Sequence, residues 1–299
     1  MFLGRRLLCI LSVFLCTPLV CAQSKPETLN LTFTTIDVPG AMNTVVTDIN
    51  SAGVMVGYSY NAPFAVDSTG FLLSGGNFTS FTYPGANATQ ALGINDAGLI
   101  SGTAYYSQNS KSLGFTYDGT TFTVIQVANR VFTIVSGIDN AGDVVGGDGN
   151  GSDTIKQAFK HTGSLFRDVT PPPGGWTSAV AYGINNHREI VGTTVLGTQS
   201  SGFAFNRGTF QTIIVPGTRF TGAVGVNDNG IIVGWYRTPF TLPAFALKNG
   251  KYVSLQVPGA KATSAYGISV SGQIVGSYTY DFLTYHGFVT SPITDADFQ

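Results

Sequence analysis

"ALGINDAGLISG", residues 91–102, sets two short apolar runs around a polar turn that closes on Gly98. Taken alone it reads as a hairpin. It does not stand alone. Near-copies follow one another along the chain: "VTDINSAGVMVGYSY", "VSGIDNAGDVVGG", "AYGINNHREIVGT", "AVGVNDNGIIVGWY" and "AYGISVSGQIVGSY". Their apolar anchors are Ile49, Ile94, Ile138, Ile184, Val226 and Ile268, at intervals of 45, 44, 46, 42 and 42 residues. A second landmark keeps the same period. Phe71, Phe115, Phe159, Phe203, Phe245 and Phe288 are spaced by 44, 44, 44, 42 and 43 residues. Two landmarks with one period define a six-fold internal repeat.

Each repeat reads as four strands. The first runs into "GIN", the second is "IVGxY", the third starts at Gly-Phe or Ala-Phe, and the fourth ends near Val-Pro-Gly. β-Branched and aromatic runs between Gly, Asn and Asp are the strand-and-turn pattern, and no stretch carries a sustained helical period. Four strands per 42–46 residues is the size of a propeller blade. The sixth repeat stops after "HGFVTSPI" without a fourth strand, while "TFTTIDVPGA" (Thr32 to Ala41) precedes the first repeat. The expectation is therefore an all-β, six-bladed β-propeller of four-stranded blades, with the N-terminal strand completing the last blade and closing the ring.

The N-terminus carries Arg5 and Arg6, an apolar run from Leu7 to Cys16, and Val20-Cys21-Ala22. That is the layout of a secretory signal peptide cleaved after Ala22. Lipoprotein anchoring at Cys21 is disfavoured by bulky Val20 at a position that prefers a small residue. The organisation expected is residues 1–22 signal peptide, 23–28 linker, 29–290 a single propeller and 291–299 a C-terminal tail. All three cysteines fall in the first 22 residues, so the exported chain would carry neither disulfide nor thiolate chemistry. No later stretch is apolar enough for long enough to span a bilayer. The net charge of −1, with only 10% charged residues, offers no basic surface for nucleic acid.

The combination of "GIN-x-x-G-x-IVG", "HGF" (His286, Gly287, Phe288) and "FTTIDVPGA" (Phe33 to Ala41) resembles the bacterial extracellular HAF repeat family. The resemblance runs from about Leu29 to Thr290 and implies a secreted bacterial repeat protein. It carries over no catalytic residue. The chain departs from the pattern in five repeats, where Thr69, Leu113, Gln157, Ser201 and Pro243 replace the histidine.

The recurrent Asn and Gly of the opening motif are accounted for by turn chemistry. Asn50, Asn95, Asn185 and Asn227 bond backbone amides two residues on, and Gly53, Gly98, Gly142, Gly230 and Gly272 take a left-handed position. Arg188 stands at that glycine position in repeat four. His161, His187 and His286 occupy different repeat positions and so do not converge on one metal. Glu27 and Glu189 are the only glutamates, and Asp48 is the only inner-strand aspartate, where most repeats have Gly. A glycosidase needs two carboxylates at a set separation, and no such pair is evident. The loop "GGDGNGSD" (Gly146 to Asp153) offers Asp148, Asn150, Ser152 and Asp153 as oxygen donors for calcium.

Aromatic residues cluster in loops expected on one face. The candidate ligand-binding set is Tyr58, Tyr60, Tyr105, Tyr106, Arg130, Trp176, Arg219, Trp235, Tyr236, Tyr278 and Tyr280. Exposed aromatics with scattered polar groups suit a glycan or protein ligand. The function expected is a secreted, non-enzymatic binding or scaffold module without a required cofactor. The alternative is a polysaccharide-acting hydrolase or lyase with its site at the central funnel.

Overall fold

A computed structural model describes residues 26–61, 67–150, 157–171 and 175–299. The signal-peptide and Cys21 readings fall outside these residues. Repeat one comprises β3 (Asn43–Ile49), β4 (Met55–Tyr60), β5 (Thr69–Ser74) and β6 (Asn77–Phe81), after the short β1 (Glu27–Thr28) and β2 (Phe33–Ile36). Repeat two follows as β7 (Ala88–Ile94), β8 (Ile100–Tyr106), β9 (Lys111–Tyr117) and β10 (Phe122–Ile125). Repeat three is β11 (Phe132–Ile138), β12 (Val144–Gly149), β13 (Gln157–Thr162) and β14 (Leu165–Asp168). Repeat four is β15 (Ser178–Ile184), β16 (Ile190–Leu196), β17 (Gln199–Asn206) and β18 (Thr209–Ile213). Repeat five is β19 (Thr221–Val226), β20 (Ile232–Tyr236), β21 (Ala244–Lys248) and β22 (Lys251–Leu255). Repeat six has β23 (Ala262–Ile268), β24 (Ile274–Thr279) and β25 (His286–Thr290). Among the described residues there is no α-helix.

The architecture is an all-β, propeller-like ring, but the expected six separate four-stranded blades are corrected. Hydrogen bonding joins the strands into five sheets of five, eight, four, four and four strands. The eight-stranded sheet arises where Phe132 of β11 pairs with Ser112 of β9 in parallel, fusing repeats two and three edge to edge. Elsewhere the same approach of a third strand to the next repeat stays an isolated bridge, as at Ser200–Phe220 and Leu242–Ala262. The five-stranded sheet arises because β1 runs parallel to β22, adding an outer strand to repeat five. β2 is the outer strand of repeat six, antiparallel to β25. The first strands β3, β7, β11, β15, β19 and β23 pack in succession around one axis, and β23 packs back on β3.

Three devices in the repeat explain this ring. The recurrent phenylalanines are buried, none more than 3% exposed, and each lies over the glycine of "IVG" on the second strand. A Cβ on Gly57 would stand 2.0 Å from the Val45 carbonyl and 2.8 Å from the Phe71 ring, so only glycine lets the sheet close there. The Val-Pro-Gly corner is pinned by a threonine on the following first strand. The Val38, Val215 and Val257 amides donate to Thr44, Thr221 and Thr263 Oγ1 at 2.9, 3.1 and 3.0 Å. Finally, apolar clusters span neighbouring repeats, as where Val191, Ala204 and Ile213 meet Ala223, Ile232 and Phe245. Burial between sheets, near 25 cal/mol per Å², holds the ring together.

Candidate functional site

Every first strand but that of repeat three shifts register two residues before its apolar anchor, and β11 shifts across the same stretch. A bulge re-aims side chains. Here it turns Thr47, Leu92, Ser136, Tyr182, Val224 and Tyr266 toward the axis, where they line one cavity of about 330 Å³. The second strands add Tyr58, Tyr105 and Trp235 to its wall. Trp235 has room because Gly222 stands opposite it: a Cβ there would lie 2.5 Å from the indole.

The floor of this funnel is Asp48. Its carboxylate accepts the Ile49 N–H on Oδ1 and the Ile94 N–H on Oδ2, both at 2.9 Å. The other repeats place Gly93, Gly137, Gly183, Gly225 and Gly267 at this level. Glycine keeps the axis narrow, and Asp48 Oδ1 lies 2.6 Å from where a Gly267 Cβ would be. Burial pushes the Asp48 carboxyl up to about 7 against the two amide bonds, which pull it down, and the nearby Asp96 charge adds to the rise. Burial also raises the phenols of Tyr58, Tyr105 and Tyr182, so they remain neutral hydroxyls at any physiological pH. Tyr182 nevertheless keeps 36% of its surface accessible, so a molecule in the funnel reaches it.

Below Asp48 a smaller cavity of about 80 Å³ is lined by the polar turns. Those side chains are committed to structure. Asn95 Oδ1 accepts the Ala97 and Leu99 amides at 3.1 and 2.9 Å, while its Nδ2 donates to the Asp139 carbonyl of the next repeat at 3.1 Å. Asn50, Asn185 and Asn227 make the same forward bond, at 3.2, 3.0 and 3.0 Å. Asp96 and Asp228 accept the Ser51 and Asn186 amides from the preceding repeat at 2.9 and 2.8 Å. Turn chemistry and repeat-to-repeat latching therefore account for this end.

The residues singled out from the sequence separate into three groups. Tyr58, Tyr105 and Trp235 line the funnel, with Tyr60 stacked on Tyr58 at 6.1 Å. Tyr236 and Tyr278 are core residues whose hydroxyls bond Ser254 at 2.9 Å and Thr35 at 2.8 Å. Trp176 packs against the core between repeats three and four, Arg219 and Tyr280 are exposed, and Tyr106 lies beside Tyr83, away from the axis. Arg130 is engaged: its Nε meets Asp148 Oδ2 at 2.5 Å and its Nη2 donates to Gln157 at 2.8 Å. Asn150, with its amide turned to donate to the Asn129 carbonyl, accepts from Arg130 Nη1 at 2.8 Å. A calcium ion at Asp148 and Asn150 would have to displace that guanidinium, and Ser152 and Asp153 lie outside the described residues. No group of three or more His, Cys, Asp or Glu among the described residues could hold a metal.

Sequence reasoning missed Tyr182 and Tyr266. The signal was available in the residue two before each anchor, but only the bulge makes that position face the axis.

No family model matches the chain, and no curated protein matches it in sequence. Solved structures of similar fold include a protein of unknown function from Dyadobacter fermentans, at TM-score 0.56 and 10% identity, covering 92% of this chain and 100% of that one. A gluconolactonase from Xanthomonas campestris gives 0.53 and 9%, covering 90% and 96%. A catalytically inactive variant of virginiamycin B lyase from Staphylococcus aureus gives 0.50 and 11%, covering 88% and 100%. These likenesses establish a propeller-type fold. Some of the neighbours are enzymes, and at such identities their chemistry does not transfer. No helix among the described residues is long and apolar enough to cross a membrane.

Proposed function

We propose that this chain is an exported, non-enzymatic binding module that seats a small hydroxylated ligand, such as the end of a glycan, in the axial funnel. The supporting observation is the funnel wall. Four tyrosines and one tryptophan surround about 330 Å³, with Gln90, Thr47 and Ser136 as further hydrogen-bonding groups. Aromatic faces stack on the C–H face of a sugar while hydroxyls fix its orientation, the usual make-up of a small-molecule site. The basic, apolar and small-residue N-terminus and the HAF-like repeat both support export.

The alternative, a polysaccharide hydrolase or lyase at the funnel, asks for more than Asp48. Glycoside hydrolysis uses a second carboxyl group roughly 5–10 Å away. Among the described residues lining the tyrosine side, Asp48 is the only carboxylate.

The chain has two tryptophans, so Trp176→Phe leaves Trp235 as a single fluorescent reporter. Titration with mono- and oligosaccharides is expected to quench it saturably. Tyr182→Ala is expected to weaken binding by about tenfold or more, the scale of one buried aromatic contact. New reducing or unsaturated ends in the same polymers would overturn the non-enzymatic reading, and an unquenched Trp235 would overturn the funnel.

A further inference from the structure

Resting on the funnel as the binding site, we propose that its ligand carries a positive charge: a protonated amine on a sugar-sized molecule, caged by aromatic faces with Asp48 as counter-ion.

The charge inventory comes first. The described lining of the funnel contains no Lys, Arg or His, and Asp48 is its one carboxylate. No ion pair in the described residues involves Asp48; Arg130, Lys160, Lys248 and His286 are paired with Asp148, Asp143, Asp295 and Asp37. An anionic ligand would meet Asp48 with nothing to offset the repulsion. A cation would supply the missing partner; without one, the desolvated carboxyl holds a proton instead, and a bound cation would favour its ionised form.

Geometry points the same way. Each Asp48 oxygen accepts one backbone N–H, and each carboxylate oxygen has a second lone pair. Tyr58, Tyr105, Tyr182, Tyr266 and Trp235 stand around the space above it. The face of an aromatic ring carries negative electrostatic potential and attracts organic cations. The phenol oxygens add acceptors for an ammonium N–H. The volume, at the small end of ligand sites, admits one sugar-sized unit rather than a chain.

The repeat itself removes the simplest alternative. Five of six repeats fill this level with glycine, so the fold does not require a carboxylate there. A half-buried ionisable group in a cleft that packing does not demand marks a functional position.

The test compares glucosamine, choline, glucose, N-acetylglucosamine and glucuronic acid by quenching of Trp235 in the Trp176→Phe protein. Glucosamine is expected to bind at least about tenfold tighter than glucose and N-acetylglucosamine, with glucuronic acid weakest. Asp48→Asn is expected to erase that preference. Raising the salt concentration in otherwise unaltered protein is expected to weaken glucosamine and leave glucose unchanged, which needs no folded Asp48 variant. Choline binding as tightly as glucosamine, with the same dependence on Asp48, would assign recognition to charge and cage rather than to the ammonium N–H, and supports the proposal. Equal binding of glucosamine and glucose, or a preference that survives Asp48→Asn, would overturn the cationic ligand while leaving the funnel as a sugar site. No quenching by any probe would overturn both.

Discussion

Asp48 gives the clearest residue-level consequence. Its folded-state carboxyl sits near 7, above its ordinary value of 3.8, with burial as the main cause. Between those values the folded chain holds a proton that the unfolded chain has released. Stability from this group is therefore fully present below about 4 and is lost as the pH rises through about 7. The charged group bearing on it is Asp96, which adds to the rise. The melting temperature is expected to fall between pH 5 and pH 8 by a few degrees or more. Asp48→Asn is expected to flatten that slope, at the cost of one acceptor for the Ile49 or Ile94 amide. A slope unchanged by the substitution would remove Asp48 as its source. This residue was legible, because an aspartate replaces glycine at a fixed place in a repeat. Tyr236 and Tyr278 misled for the opposite reason: they follow the same "IVG" as the funnel residues. One step along a strand reverses the face, and here it turns them into the core. Arg188, read as a departure at the turn glycine, does take the left-handed conformation, at φ 64°.

At the level of the element, the turn between first and second strands has two duties. The sequence showed one: an Asn side chain closing its own turn. The other, an amide reaching a carbonyl 44 residues ahead, depends on the ring and is invisible in any local window. Asn95→Ala breaks three bonds at a site only 5% exposed. It is expected to cost about 1–3 kcal/mol by chemical denaturation, since it leaves buried backbone groups unpaired. Asn140→Ala, on the exposed rim, is expected to cost less than half as much, although it too bonds Asp96 of the neighbouring repeat at 2.7 Å. Equal costs would mean that the latch carries no more weight than the rim. Strand positions were legible from period alone. The fusion of repeats two and three was not, because it rests on one backbone pair, Phe132 with Ser112, that no side chain announces.

Across the whole molecule, the N-terminal segment clasps two repeats. β1 lies along β22, β2 lies along β25, and Leu29, Leu31 and Phe33 pack on the core between them. Removing residues 1–37 is expected to lower the melting temperature and to produce dimers or larger species by light scattering, since β25 becomes an open edge. A monomer of unchanged stability would show that the clasp is dispensable. The pairing of β2 with β25 also sets a schedule. Phe33 pairs opposite Thr290, so this closing contact waits until the chain has been made as far as the sixth repeat. At a synthesis rate of about 5–20 residues per second, the early strand waits roughly 12–50 s for its partner. During that interval the growing chain holds repeats that can pack on one another, and one strand whose edge has nothing yet to meet. Closure is thus an event in time as well as a contact in space, and the interval before it is when this protein is most open to wrong partners.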